Sequence, residues 1–199
     1  MREASSYVAG LTLDIGCGEK PYAYLFKDRA THYIGLDIDV SEQKKVDICA
    51  NSLSLPVRTD IADTVISNQT IEHVTSPEIF VEEVSRVLKP GGTLILTAPQ
   101  LWCLHEKPFD YYRFTRYALE HLCNKNRLEV LVLRERYGAF AAIGQMLSLM
   151  IFLPQSHKAW RIYLARPMMG FIQLLFLLLD RLFYDPDLTL GYVLIARKR

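Results

Sequence analysis

Short apolar runs alternate with polar, helix-like stretches through the N-terminal half of the chain. Leu11, Leu13 and Ile15 belong to one such run, which ends at Gly16-Cys17-Gly18. This pattern predicts a buried strand that breaks into a tight turn. Further apolar runs predict strands at 33–39, 46–50, 63–68 and 93–97.

Apolar residues recur at helical spacing in residues 77–88, which predicts an amphipathic helix, and Lys-Pro-Gly-Gly at 89–92 ends it. Strands that alternate with helices at this pace indicate βαβ units and a mainly parallel sheet, so the predicted fold class is α/β. Right-handed crossovers place the loops after the strands along one edge, where open α/β sheets bind ligands.

The glycine turn is suited to a ligand. Two glycines remove the Cβ atoms that would keep a small molecule off the backbone, and the amides at the start of the short helix predicted at 22–26 carry partial positive charge. Taken alone, Gly-x-Gly fits an ordinary strand-to-helix turn equally well.

Composition narrows the function classes. Half of the 199 residues are hydrophobic and the net charge is +1, which argues against disorder and against a general nucleic-acid binder. The four cysteines form no CxxC pair, so neither a zinc site nor a disulfide framework is expected. The N-terminus lacks a signal-peptide pattern, and we expect a cytoplasmic protein.

The choice of cofactor depends on two positions after the turn. Asp37 ends the second predicted strand, where a carboxylate can accept hydrogen bonds from ribose hydroxyls, although Asp39 competes for the role. A dinucleotide fingerprint requires a third glycine, but Pro21 stands there. This favours an adenosyl ligand without a pyrophosphate over NAD or FAD.

Six motifs in order and spacing resemble those of the class I S-adenosylmethionine-dependent methyltransferases, particularly the type 11 methyltransferase-domain branch. They lie at 13–18, 35–39, 54–56, 63–68, 72–74 and 86–92. The resemblance implies a Rossmann-like, seven-stranded, mainly parallel sheet with helices on both faces. Its antiparallel last strand would be 190–197, beside a strand at 128–134.

The resemblance also implies which residues hold S-adenosylmethionine. The methionine end would be lined by Asp14, Gly16, Cys17 and Gly18, and the ribose would be held by Asp37, which Ile38 follows. The adenine would lie near Asn51, Ser52 and Leu53, and the sulfonium would lie near Asn68 and Gln69.

The acceptor side is expected in residues 100–115, where polar and aromatic side chains are dense. His105 is the candidate catalytic base, since histidine exchanges protons near neutral pH. The candidate acceptor-binding residues are Trp102, Glu106, Asp110, Tyr111, Tyr112 and Arg113. The alternative is a lid packed by aromatics and held by ion pairs. His73 is predicted to have a structural role or to lie near the cofactor. No metal is expected.

Residues 138–187 form an apolar helical insertion before the last strand, within one domain spanning 1–199. Both of its apolar stretches, 138–153 and 168–179, are shorter than the roughly 20 residues of a membrane span. Three alternatives stay open: a hairpin at 138–183 that contacts a membrane peripherally, a homo-oligomer or other protein contact, and internal packing.

The predicted function is transfer of a methyl group from S-adenosylmethionine to a small or carrier-linked acceptor, such as a glycan or lipid. The alternative is a non-catalytic cofactor-binding or scaffolding module that docks through the insertion. A nicotinamide-dependent oxidoreductase ranks third because of Pro21.

Overall fold

The computed structural model of the protein describes residues 3–26, 28–39, 45–152 and 159–199. The strands are β1 Gly10–Ile15, β2 Ala30–Asp37, β3 Ile48–Cys49, β4 Ala62–Asn68, β5 Leu88–Pro99, β6 Leu128–Glu135 and β7 Gly191–Lys198. The helices are α1 Ala23–Phe26, α2 Pro77–Val87, α3 Arg116–Lys125, α4 Ala139–Phe152 and α5 Ala159–Leu182. Short 3-10 helices lie at Glu3–Tyr7 and Ile71–His73.

The seven strands form one sheet in the order β3-β2-β1-β4-β5-β7-β6. Strands β1 to β5 pair in parallel, and the sheet ends in antiparallel strands. The predicted fold class is therefore confirmed. The chain order reverses between β1 and β4, and the crevice outside the carboxyl ends of strands at such a point is where α/β sheets bind ligands.

Helix α2 shows why the predicted elements form where they do. Phe80, Val81 and Val84 are buried on one face, as the apolar spacing requires, and Pro77 occupies the first turn, where its missing N–H costs nothing. The helix ends at Val87, directly before β5. The crossover thus packs on the sheet and returns the chain to the strand beside β4.

A hydrophobic core cluster of the sheet is built from side chains distant in sequence. Ala4, Val8, Phe26, Ile66, Ile95 and Ile195 form one buried cluster, each at most 4% exposed. The cluster connects the N-terminal segment and β7 to β4 and β5. Close packing in this cluster therefore holds the strands whose ends carry the candidate site.

The chain divides into two compact units, the first made of Met1–Pro99, Leu104–Arg134 and Val193–Arg199, the second of Gln100–Cys103 and Glu135–Tyr192. The predicted insertion lies in the second unit, while its place within a single domain stays a prediction.

The second unit is organised around the hairpin of α4 and α5. The buried carboxylate of Asp180 on α5 accepts hydrogen bonds from the amides of Gly138 and Ala141, at 3.0 and 3.1 Å, and so caps the start of α4. Elsewhere on α5 large apolar side chains are exposed, among them Phe171 at 66% and Leu182 at 73%. No helix in the described ranges combines the length and apolar character needed to cross a bilayer.

Candidate active site

A cavity of about 790 Å³ opens at the carboxyl ends of β1, β2 and β4, within the first unit. All eleven residues predicted to hold the cofactor line it, namely Asp14, Gly16, Cys17, Gly18, Asp37, Ile38, Asn51, Ser52, Leu53, Asn68 and Gln69. Their roles stay predictions, but the fold brings all of them to one place.

The glycine turn forms one wall of the cavity through backbone conformation. Gly16 has a φ of +72°, and a Cβ there would lie 2.2 Å from Thr70 Oγ1, so no other residue fits without displacing Thr70. Gly18 has a φ of +47°, and a Cβ there would meet no atom within 4 Å. The two glycines therefore differ: Gly16 is required for packing, whereas Gly18 keeps space open beside the turn.

Asp37 connects the turn to the end of β2. Its Oδ2 accepts a hydrogen bond of 2.8 Å from the Gly18 amide, and its Oδ1 accepts one of 2.7 Å from the Ile38 amide. The Asp39 amide makes a longer contact of 3.4 Å with Oδ1, and because a carboxylate has about four acceptor positions, capacity remains for a hydroxyl donor. The carboxylate is thus held in place by backbone donors while it lines the cavity.

At the end of β4, Thr97 from the neighbouring strand organises two predicted residues. Its hydroxyl donates to Asn68 Oδ1 at 2.8 Å and accepts from the Gln69 amide at 3.1 Å. Gln69 has a φ of +53°, which turns the chain sharply after the strand. These bonds fix Asn68 and Gln69 at the floor of the cavity.

Behind the turn, Asp14 lies buried and accepts a 2.5 Å hydrogen bond from the Tyr33 hydroxyl. Burial raises the pKa of Asp14 to about 6, although this hydrogen bond opposes the rise. Burial also raises the pKa of the Cys17 thiol to about 12, so Cys17 is a neutral side chain and not a nucleophile.

The charge of the lining residues indicates the kind of ligand that fits. Five acidic residues line the cavity: Asp14, Glu19, Asp37, Asp39 and Glu106. Lysine and arginine are absent from the lining residues in the described part of the chain. Such a wall attracts a cationic ligand and repels a pyrophosphate. Helix α1, only four residues long, offers little dipole to compensate.

The predicted acceptor segment contributes fewer lining residues than the cofactor side. Glu106 and Tyr111 line the cavity together with Phe109, whereas His105, Trp102, Asp110, Tyr112 and Arg113 are not among the lining residues. The Arg113 guanidinium binds both oxygens of Asp110, at 2.6 and 2.8 Å, and holds the pKa of that carboxyl well below its usual range. The Asp110 side chain is only 2% exposed, so this pair anchors the segment.

A histidine pair joins this segment to the chain after β4. His73 lines the cavity, and its Nε2 lies 3.1 Å from Nε2 of His105. Next to them Glu72 is fully buried, and burial raises its pKa to about 7. Sequence reasoning missed Glu72 as a site residue and gave His73 no chemical role. The Glu-His-Val motif at 72–74 was the signal that could have found both.

Comparisons with known proteins agree with this geometry. Residues 13–96 match the family model described as a methyltransferase domain. A protein of Mycolicibacterium smegmatis, named as a probable S-adenosylmethionine-dependent methyltransferase, is 38% identical over 95 residues, which cover 44% of this chain and 37% of that protein. Residues 13–96 form a class I S-adenosylmethionine-dependent methyltransferase domain.

Solved structures show the same fold as this chain. An S-adenosylmethionine-dependent methyltransferase of Archaeoglobus fulgidus has a TM-score of 0.64 at 16% identity, covering 99% of this chain and 90% of that chain. Phosphoethanolamine N-methyltransferase 2 of Haemonchus contortus, in complex with S-adenosyl-L-methionine, has a TM-score of 0.59 at 15% identity, covering 96% and 49%. The chain spans less than half the length of several curated relatives that it matches.

These matches confirm the predicted family, the enzyme class of the domain and S-adenosylmethionine as its cofactor. The residues around the cavity fit that cofactor in three ways. The cavity has ample volume, the open side of Gly18 admits a ligand against the backbone, and an acidic wall suits a sulfonium. Asp37 would hold the ribose hydroxyls, and the turn after β1 would hold the methionine end.

Proposed function

We propose that the protein transfers a methyl group from S-adenosylmethionine to a small or carrier-linked acceptor. The observation that carries this proposal is the cavity itself, lined by every predicted cofactor residue and by five acids without a lysine or arginine among the described lining residues. When bound, the cofactor supplies a methyl group already activated by its sulfonium.

The residues of the chain then have two tasks, alignment and the exclusion of water. Holding an acceptor in line with the breaking bond can contribute up to roughly 7–11 kcal/mol to lowering the barrier. His73, Glu106, Phe109 and Tyr111 line the part of the cavity that would meet the acceptor. A mixture of hydroxyl, carboxylate, imidazole and aromatic groups suits a hydroxylated acceptor such as a glycan or the polar part of a lipid.

The base proposed for a hydroxyl or amine acceptor is His105. The 3.1 Å contact between the two Nε2 atoms links His105 to His73, and His73 lines the cavity. A general base contributes on the order of 10² to 10⁴ in rate. We expect His105→Ala to lower the methylation rate by that range, and an unchanged rate would rule out the role.

Calorimetry with S-adenosylhomocysteine tests the cofactor half of the proposal. The intact chain should bind it tightly, and Asp37→Ala should abolish measurable binding because the ribose hydroxyls lose their acceptor. Asp39→Ala is the matched control, since this neighbouring acid also lines the cavity and should retain most of the affinity. The absence of binding by the intact chain would overturn the proposal.

The acceptor can be identified by mass spectrometry of a metabolite extract incubated with isotopically labelled S-adenosylmethionine. A labelled product that depends on intact Asp37 would support methyl transfer. Binding of cofactor without any labelled product would favour a non-catalytic module. A solved neighbour with a TM-score of 0.61 is the [4+2]-cyclase SpnF, which illustrates that this fold does not by itself fix the chemistry.

A second, compatible role concerns the hairpin of α4 and α5. We propose that this unit docks on a membrane surface or a second copy of the chain, because α5 exposes Phe171, Leu174 and Leu182 among other large apolar side chains. Flotation with anionic vesicles tests the membrane, and sedimentation tests the second copy. If the chain stays unbound to vesicles and monomeric in these two assays, this role is excluded.

A further inference from the structure

The hydrogen bonds of His73 determine where its proton lies. Its Nδ1 is 2.7 Å from the carbonyl oxygen of Phe109. A carbonyl oxygen can only accept, so Nδ1 carries the hydrogen. In the neutral ring, Nε2 therefore has a free lone pair, and it points toward His105.

The surroundings of His105 give the same result. Its Nδ1 lies 3.3 Å from Asp110 Oδ2, and both oxygens of this carboxylate accept hydrogen bonds from the Arg113 guanidinium. The hydrogen of His105 therefore belongs on Nδ1, facing an acceptor, and its Nε2 also carries a lone pair. Two lone pairs 3.1 Å apart repel each other unless a positively charged species lies between them.

The surroundings of Glu72 favour a metal ion over a proton as the positively charged species between the two histidines. Its side chain is fully buried, and neither carboxylate oxygen has a hydrogen-bond partner among the residues that the structure describes. A buried carboxylate without hydrogen bonds is costly, and a proton shared by two imidazoles would give Glu72 only a 4.0 Å ion-pair contact with His73. Ligand atoms of Glu72, His73 and His105 all lie within 4.8 Å of one another.

We propose that Glu72, His73 and His105 bind one divalent transition-metal ion of the Zn²⁺ class beside the cofactor cavity. Imidazole and carboxylate are its usual ligands, with bonds of about 2.0–2.1 Å that place neighbouring ligand atoms about 3.3 Å apart in a tetrahedral site. The two Nε2 atoms already have this spacing. Glu72 Oε1, which lies 4.0 Å from His73 Nε2, would approach it by about 0.7 Å.

The groups around the three ligands have the form of an outer shell of a metal site. Each histidine would bind through Nε2 while its Nδ1 faces a carbonyl or carboxylate oxygen, which is the arrangement that orients imidazole ligands. Glu106 Oε2 lies 3.7 Å from His73 Nε2 and could supply a fourth ligand. Because His73 and Glu106 both line the cavity, this fourth coordination position would face it.

This proposal departs from the sequence-based expectation of no metal. The ligands are one adjacent Glu-His pair and a histidine 32 residues later, a spacing that no zinc signature contains. Only the folded chain brings the three together. While it binds the ion, His105 could not also act as the base proposed for methyl transfer, so these two roles exclude each other. Metal binding itself can be measured without cofactor or acceptor.

Metal binding is tested on the full chain after removal of metals with a chelator. Zn²⁺ is titrated in competition with a chromophoric chelator, and Co²⁺ is used as a visible-absorption probe of the coordination. We expect one ion per chain. Glu72→Gln and His105→Gln should each weaken binding at least about 100-fold, because each removes a ligand, and Asp110→Asn should weaken it about 10- to 100-fold.

His121→Gln is the matched control, since His121 is an exposed histidine on α3 and its loss should leave affinity and stoichiometry unchanged. Glu72→Gln keeps the proposal testable if a histidine variant fails to fold, because it replaces a buried carboxylate without hydrogen-bond partners by a neutral group of the same shape. Failure of the intact chain to bind one ion, or unchanged affinity in Glu72→Gln, would overturn the proposal in favour of a shared proton.

Discussion

The two walls of the cavity are built in different ways. The cofactor wall follows three strand ends, and backbone conformation and backbone amides hold it: Gly16 turns the chain, and the Gly18 amide fixes Asp37. The wall from the segment 105–113 depends on side chains, above all on the bidentate pair of Arg113 and Asp110. Short motifs encode the first kind of wall, whereas the second depends on which distant side chains meet.

The residues of the two walls also differ in whether they line the cavity or hold their segment in place. On the cofactor wall, every predicted residue lines the cavity. On the other wall, Glu106 and Tyr111 do so, while Asp110, Arg113 and Tyr112 hold the segment in place. Substitutions on the first wall should therefore change affinity for the cofactor, and most substitutions on the second should change stability.

The largest stability effect is expected for Arg113→Ala. It leaves the Asp110 carboxylate, 2% exposed, without its guanidinium, and the free energy of unfolding should fall by about 3 kcal/mol at pH 7. Affinity for S-adenosylhomocysteine should be nearly unchanged. Urea denaturation and calorimetry measure the two quantities.

The pH dependence of this effect has a definite sign. The pair lowers the folded-state pKa of Asp110, so its contribution is present above the unfolded pKa of about 3.9 and is lost as pH falls through the folded value. The difference between the two proteins should shrink in acid. Arg116→Ala, which removes an exposed contact of 3.9 Å to Glu120, is the control and should cost under about 1 kcal/mol. Equal losses for both variants would contradict the distinction.

An effect of similar size is expected at the two glycines of the turn, which should differ from each other. Gly16→Ala should lower the free energy of unfolding by about 3 kcal/mol, because it adds a left-handed backbone penalty to a clash with Thr70. Gly18→Ala should cost only about 1 kcal/mol, since its Cβ meets no atom. Its Cβ enters the space proposed for the cofactor, so it should weaken S-adenosylhomocysteine binding more than it weakens the fold. The reverse order of stability losses would contradict this interpretation of the turn.

Asp14→Asn is expected to stabilise the protein. Burial raises the pKa of Asp14 from 3.8 to about 6, so between these values the native state binds more protons than the unfolded state and stability falls as pH rises. The neutral variant avoids this loss and should gain about 2–3 kcal/mol at pH 8 and nothing below about pH 4. Thermal unfolding across this pH range measures the gain, and a gain independent of pH would disprove its ionic origin.

The smallest effect concerns the two neighbouring tyrosines. Tyr112→Phe removes a hydrogen bond to the Thr75 carbonyl and should cost about 1 kcal/mol, with no change in the KM for an acceptor. Tyr111→Phe alters a residue that lines the cavity and should raise that KM with little loss of stability. If Tyr112→Phe alone raised the KM, Tyr112 would be the acceptor contact instead.

Sequence reasoning succeeded where local pattern and local structure coincide. The apolar spacing of 77–88 predicted α2, and the runs at 11–15 and 63–68 predicted β1 and β4 to within a residue or so at each end. The absence of a third glycine at Pro21 predicted an adenosyl ligand without a pyrophosphate, which agrees with the acidic cavity wall. These features depend on a few consecutive residues, so the sequence alone is sufficient to predict them.

Residues 72–73 and 105 show what the sequence could not provide. Glu72 resembles an exposed helix-start acid and His105 an isolated loop histidine, yet the fold buries the first and places the second 3.1 Å from His73. Burial and proximity across 32 residues result from packing of the whole chain, and these properties decide the protonation and metal affinity of the side chains.

The sequence by itself thus determined the sheet, the glycine turn and the cofactor, because each is encoded in strand periodicity or a short turn motif. Only the tertiary structure decided which residues of the acceptor segment face the cavity and which anchor it, and that a buried glutamate meets two histidines. The physical reason is range: backbone conformation follows from neighbours in sequence, whereas solvation and charge follow from neighbours in space.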